Sequence, residues 1–256
     1  MEFTDFLIEI NKDFGLNLTG YKEKQLKRRI ESLMHSVGAD NFKEYLRLLN
    51  TDAVQREKFL DKVTINVSEF FRNADIFSAF ENSILPELCA GGKSLKIWSA
   101  ACSNGAEPYS IAIILDSSFP GISYKINATD IDENILNIAR TGAYDEKLVR
   151  NVSKERLERY FKKNDSEIYS IIPEIKKQVH FKRHDLLVDT FEKDYDLIVC
   201  RNVTIYFTRE TQKELYQKFS RSLRPGGVLF IGATENIIQY RELGFDKIAH
   251  FFYRKL

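Results

Sequence analysis

The sequence predicts a doubly wound α/β sheet behind a small all-helical module. Short apolar runs at residues 96–100, 125–130 and 195–200 each end in small or polar side chains and are separated by helical patterns, as in a parallel sheet with crossover helices. Up to about residue 75, by contrast, apolar residues recur only at helical spacing, with almost no strand signal.

The elements follow in order. Phe3, Phe6, Leu7, Ile10 and Phe14 mark one helix, and Leu26, Ile30, Leu33, Met34 and Val37 a second. A third, with Phe42, Tyr45, Leu46 and Leu49, is expected to take Asp40 as its N-cap. Phe77, Phe80, Ile84 and Leu85 lie on a helix ahead of the first strand. That strand runs into Ala101-Cys102-Ser103-Asn104-Gly105, a tight turn of very small residues, and then into a buried helix carrying Ile111 to Leu115. Between Tyr144 and about Ile175 the alternation lapses: Val152 to Phe161 reads as a capped helix and Ile168 to Pro173 as a short strand. Val179 to Leu186 supplies a third strand and its end, and residues 195–202 the fourth. Thr208 is expected to cap a helix containing Leu215, Phe219 and Leu223. Pro225-Gly226-Gly227 turns into the strand Val228 to Gly232, and residues 245–253 are expected to close the sheet as one last antiparallel strand.

Composition narrows the function classes. The chain has 256 residues and a formal net charge of +1, so no global attraction to nucleic acid is implied. No apolar run approaches the roughly twenty residues that cross a bilayer, and Met1-Glu2-Phe3-Thr4-Asp5 lacks the basic start of a signal peptide. A cytoplasmic protein is expected. Cys89, Cys102 and Cys200 lack metal-like spacing and are expected as reduced thiols, mostly buried.

The turn after the first strand is the chemical centre. Small side chains there allow a ligand close to the backbone, and the helix behind offers unpaired N–H groups. Only Gly105 is present, without a Gly-x-Gly-x-x-Gly fingerprint, which weighs against a nicotinamide dehydrogenase. Asp130 closes the second strand where an acid accepts from ribose hydroxyls, with Asp132 next to it as a helix cap. A nucleoside ligand is the first expectation. His184 has no partner in sequence to complete a catalytic dyad and is expected at the surface.

At this point the motifs resemble a known family. Asn66-Val67-Ser68-Glu69-Phe70-Phe71-Arg72, Trp98-Ser99-Ala100-Ala101-Cys102-Ser103-Asn104-Gly105-Ala106-Glu107-Pro108-Tyr109-Ser110, Ala128-Thr129-Asp130-Ile131-Asp132 and Cys200-Arg201-Asn202-Val203-Thr204-Ile205-Tyr206-Phe207 are similar to those of the CheR-type chemotaxis receptor methyltransferases. The resemblance spans essentially the whole chain. It implies a Rossmann-like fold binding S-adenosylmethionine (SAM), with S-adenosylhomocysteine as product and no metal. Residues 1–75 become an all-helical receptor-recognition module with its linker, and residues 76–256 the α/β domain, with a small β-subdomain inserted at about 145–178.

The matching positions imply Asn66, Ser68, Arg72, Glu107, Asp130, Asp185, Leu186, Arg201 and Asn202 as cofactor contacts. Ser68 stands where the family more often shows Thr, and Asp185 where many members carry Asn. Arg72 is implied to grip the methionine carboxylate through two parallel hydrogen bonds, and with Tyr206 to hold the reactants in line. Lys24, Lys27, Arg28 and Arg29, on or flanking the outer face of the second helix, are implied to meet an acidic receptor helix bundle, the bland alternative being a solvated charged face. The protein is expected to act as a monomer.

A glutamate acceptor is already ionised at neutral pH, so the absence of a catalytic histidine or carboxylate pair is consistent with this chemistry. Other classes stay open. A nucleic-acid amino methyltransferase would carry an Asn/Asp-Pro-Pro-aromatic run where Asn202-Val203-Thr204-Ile205 stands. A silent receptor adaptor would keep the fold, although Arg72, Glu107, Asp130 and Tyr206 are all in place.

Overall fold

The computed structural model describes every residue except Lys93. Four helices open the chain: α1 (Phe3–Phe14), α2 (Glu23–Ser36), α3 (Phe42–Thr51) and α4 (Ala53–Thr64). They close on Phe6, Ile10, Ile30, Leu49 and Phe59, which retain no exposed surface. Asn41, not Asp40, caps α3. Its carboxamide oxygen accepts from the amides of Lys43 and Glu44, because the residue immediately before the first helical one is placed to reach them. The Asp40 amide instead donates to the Glu44 carboxylate.

Helix α5 (Ala74–Ala79), a π-helical turn (Phe80–Ile84) and α6 (Leu85–Cys89) lead to strand β1 (Leu95–Ala100). Then come α7 (Ala106–Ser118), β2 (Tyr124–Asp130), α8 (Glu133–Thr141), β3 (Ala143–Tyr144), α9 (Glu146–Val149), α10 (Lys154–Tyr160), β4 (Phe161–Lys163), β5 (Tyr169–Ile171) and α11 (Pro173–Lys176). The chain continues through β6 (Val179–Arg183), β7 (Tyr195–Cys200), α12 (Arg209–Ser222), β8 (Leu223–Ile231), β9 (Phe245–Ala249) and β10 (Phe252–Lys255).

Seven strands form the main sheet in the order β6-β2-β1-β7-β8-β10-β9. From β6 to β8 the pairing is parallel, and β10 runs antiparallel to both neighbours. The last stretch is therefore a hairpin and not the single strand expected, because Phe251 takes a left-handed φ of 70° and reverses the chain between Ala249 and Phe252. Strand β8 also starts five residues earlier than expected, its pairing with β7 shifting register between Tyr195 and Leu197.

Strands β3, β5 and β4 make a separate antiparallel sheet. The helix and strand expected in this stretch are present as α10 and β5, with Ser153 capping α10. The small sheet packs Tyr144, Phe161 and Ile171 into the same core as α7. Helix α7 is thus covered on all sides along Ala106 to Leu115, which is why its sequence shows no polar stripe.

Among the described residues no helix is long and apolar enough to cross a membrane. Cys102 and Cys200 are buried and Cys89 half-buried, all as free thiols.

Candidate active site

Strands β1 and β7 are neighbours, but the chain leaves β1 toward β2 and leaves β7 toward β8. This reversal opens a crevice at the strands' carboxyl ends, where open α/β sheets bind ligands. The turn after β1 is unusually contorted: Ala101, Ser103 and Gly105 all have positive φ, of 63°, 51° and 85°. Such strain persists only where surroundings enforce it. Here the Cys102 amide donates to the Thr129 carbonyl and the Ser103 amide to the Asp130 carboxylate, both at 2.8 Å. The single glycine is required because a Cβ at Gly105 would lie 2.9 Å from that of Ala139.

Asp130 ends β2 and is buried. It also accepts from the Asp132 amide at 3.1 Å. Burial pushes its carboxyl up to about 6, against the pull of those amides. Glu107, in the first turn of α7, accepts from Ser99 Oγ at 2.9 Å and lies 3.4 Å from the Arg201 guanidinium. Burial raises the Glu107 pKa and opposes the lowering by Arg201 and Ser99, so the pair stands in a medium that resists either charge alone.

Arg201 turns inward. Its guanidinium donates to the Arg72 carbonyl at 2.9 Å and to Asn73 Oδ1 at 3.0 Å, and lies 4.8 Å from the ring centre of Phe230. It thereby clamps a turn in which Phe71 and Asn73, either side of Arg72, both have positive φ. Arg72 Nη1 donates to the Val67 carbonyl at 3.0 Å. Asn66 reaches Asp132 at 2.7 Å, and Asn104 donates to the Ser68 carbonyl at 3.3 Å. The segment 64–72 is thus laid across the strand ends.

One cleft is lined by Asn66, Ser68, Arg72, Glu107, Asp130, Arg201, Asn202 and Tyr206 together. Asp185 and Leu186 do not line it. Asp185 is buried and accepts from the Leu187 amide at 2.8 Å, while Leu186 packs into the core beside Trp98. Ser103, not singled out from sequence, also lines the cleft, and its buried Oγ has no hydrogen-bond partner. Sequence could have flagged it only as one of the small residues of the turn. His184 is half-buried and not a surface residue, its ring standing edge-on to Trp98 with centroids 5.4 Å apart.

The helical module reaches the same place. Tyr21 forms an antiparallel bridge with Phe207, the Lys22 amide donates to the Tyr206 carbonyl at 2.8 Å, and Lys22 Nζ donates to the Ile205 carbonyl at 2.8 Å. Arg29, expected at the flank of the basic face and as a receptor contact, turns toward the cleft: it donates to the Val63 carbonyl at 3.3 Å, and its guanidinium lies 5.5 Å from the Tyr206 ring centre. Lys24 and Arg28 are exposed, and Lys27 is half-buried with its ammonium 5.8 Å from the ring centre of Phe3.

Five parallel strands continued by an antiparallel hairpin, with a strained turn and a strand-end acid at the switch point, form the framework of a nucleoside-binding α/β domain. Residues 66–250 match the model of the CheR methyltransferase SAM binding domain, and residues 1–64 that of the CheR methyltransferase all-alpha domain. A chemotaxis protein methyltransferase of Listeria monocytogenes is 43% identical, the alignment covering 99% of this chain and 97% of that one. One of Borreliella burgdorferi is 35% identical over 89% and 85% of the two chains, and chemotaxis protein methyltransferase 1 of Pseudomonas aeruginosa 33% over 91% and 89%. The chain belongs to the CheR methyltransferase family.

Proposed function

We propose that the protein transfers the methyl group of SAM to glutamate side chains of chemotaxis receptors, forming methyl esters and leaving S-adenosylhomocysteine. The observation that carries this reading is the convergence in one cleft of Arg72, Glu107, Asp130 and Tyr206 from four separate parts of the chain.

The donors and acceptors in the cleft fit the cofactor. Asp130 would accept from ribose hydroxyls and Glu107 from the methionine ammonium, while Arg72 would donate to the methionine carboxylate and Asn66, Ser68 and Asn202 would complete the wall. The unpartnered Ser103 hydroxyl fits a polar ligand at the same point. When bound, SAM supplies a methyl group on a positively charged sulfur. Among residues assigned from the family, Asp185 and Leu186 would act from outside this cleft and Arg201 through Glu107 and the Arg72 carbonyl.

The carboxylate acceptor needs no base, so the chain's task is alignment and exclusion of water. Tyr206 and Arg72 would hold the reactants in line. Lys24, Lys27 and Arg28 would meet the acidic receptor helices, raising encounter rate and fixing orientation, whereas Arg29 would serve by supporting Tyr206. This reading carries a cytoplasmic, monomeric enzyme working without metal.

The test is transfer of labelled methyl from SAM to receptor-containing membranes. Label released by mild base as methanol supports the reading. Base-stable label would reject ester formation, and tight SAM binding without any transfer would point to a receptor adaptor.

A further inference from the structure

The loop that follows β7 carries Asn202 and Tyr206 to the cleft, and it is held from beneath by a residue outside the cleft. Glu235 lies just after β8 and is buried. One carboxylate oxygen accepts from the Val203 amide at 3.1 Å, the Thr204 amide at 2.8 Å and the Thr204 hydroxyl at 2.7 Å. The other accepts from the Asn202 amide at 2.9 Å and the Gly232 amide at 2.6 Å. Three consecutive backbone amides and one hydroxyl of the loop's first turn thus converge on one side chain.

Two further observations show how closely this loop is held. Asn202 has a left-handed φ of 61°, a conformation that needs external support in a non-glycine residue. A Cβ at Gly232 would lie 2.7 Å from both the Asn202 amide nitrogen and a Glu235 carboxylate oxygen, so the backbone just after β8 approaches too closely for any other residue. The Thr204 hydroxyl, donating to Glu235, lies 2.9 Å from the Tyr216 hydroxyl, and the Thr204 carbonyl accepts from Gln212 at 2.7 Å. The anchor therefore extends into α12.

We infer that Glu235 is a positioning residue for methyl transfer, fixing the 202–204 turn so that the following Tyr206 stands over the cleft at the required place. It acts through the loop and touches no reactant. The inference rests on the methyltransferase reading, and its test separates the two.

Glu235→Gln keeps size and shape, but its amide must turn an NH2 group toward at least two donors in either orientation. In the full-length protein this variant is expected to lower kcat, counted per SAM-binding site so that an unfolded fraction does not enter, at least about tenfold while the SAM dissociation constant changes less than about threefold. Glu235→Asp is expected to recover part of the loss, and Gly232→Ala, which presses on the Asn202 amide and on Glu235, to lower kcat as well. Hydrogen exchange supplies a readout that needs no acceptor: the amides of Asn202, Val203 and Thr204 are expected to exchange at least about tenfold faster in Glu235→Gln, with those of β7 unchanged. Tyr253→Phe, which removes hydrogen bonds to Asn236 and the Ile237 amide but none to residues 202–204, is expected to leave both readouts at native values. Native turnover in Glu235→Gln, unchanged exchange of the three amides, or losses of kcat and SAM affinity in equal measure would each overturn the inference. If the native protein itself transfers nothing to receptor glutamates, the acceptor reading falls and the exchange measurement alone decides the role of Glu235.

Discussion

Glu107 and Asp130, on the sheet side of the cleft, are each less than a tenth exposed, whereas Asn66, Ser68 and Arg72 on the facing segment are half-buried. The first pair sits at element ends fixed by parallel strand pairing, with a guanidinium, a hydroxyl and backbone amides already engaged. The facing segment is anchored by the buried Phe70 and Phe71, whose amides donate to the Leu148 carbonyl and Ser110 Oγ, while its cleft-lining residues have lighter ties: Asn66 to Asp132, the Ser68 carbonyl to Asn104, and the Arg72 carbonyl to Arg201. The sheet side is set before any ligand arrives, so a change there is felt in folding as well as binding. On the facing side, a change is felt mainly in binding and alignment.

The largest effect belongs to Glu107→Ala. It leaves Arg201 buried beside aromatic rings without its counter-charge, and breaking such a pair costs about 3–5 kcal/mol. A fall in unfolding free energy of that size is expected from denaturant titration, and a native value would show that the sheet side is not fixed as described. Arg72→Ala is the matching change on the facing side. It is expected to reduce transfer about 10- to 150-fold, the worth of charge-assisted hydrogen bonds, with unfolding close to native by the same denaturation assay.

Asp130 gives the comparison a pH dependence. Its carboxyl, pushed up to about 6, is more readily protonated in the folded chain than in the unfolded one. Ligand-free protein therefore loses stability from this group, on the order of 3 kcal/mol, as pH rises from about 4 to about 6. Ligand binding runs the other way. The carboxylate form is the better acceptor, so SAM affinity is expected to fall by up to about tenfold per pH unit below about 6, and Asp130→Asn is expected to flatten that limb in a titration across pH. The smallest effect is expected from Asn66→Ala, which removes contacts to Asp132 and Thr64 at 2.7 and 3.0 Å. Weakening of SAM binding by about 1 kcal/mol or less, with an unchanged denaturation midpoint, would match the facing side's lighter ties.

The same contrast governs what could be read from the chain. The sheet was legible because buried parallel strands and their helices leave periodic apolar runs, and Glu107 and Asp130 fall at positions that such runs define. Hairpin β9–β10 reads as one strand in the sequence because its reversal depends on a left-handed Phe251, which carries no glycine signal. Arg29 reads as a flanking receptor contact because helical periodicity gives a face but not a neighbour, and its neighbour is a loop 177 positions away at Tyr206. Glu235 was invisible for the same reason: a carboxylate gathering amides from a loop some thirty residues earlier leaves no local pattern. His184 owes its half-buried setting to Trp98, far off in sequence, and to Phe191, each with ring centroids 5.4 Å away.

The most direct test of this division of labour measures SAM binding and single-turnover methyl transfer side by side in Asp130→Asn and Tyr206→Phe. The account predicts that Asp130→Asn weakens binding about tenfold or more at pH 8, and that Tyr206→Phe leaves binding within about twofold of native but slows transfer about tenfold. The reverse pattern, with binding lost in Tyr206→Phe and retained in Asp130→Asn, would contradict it.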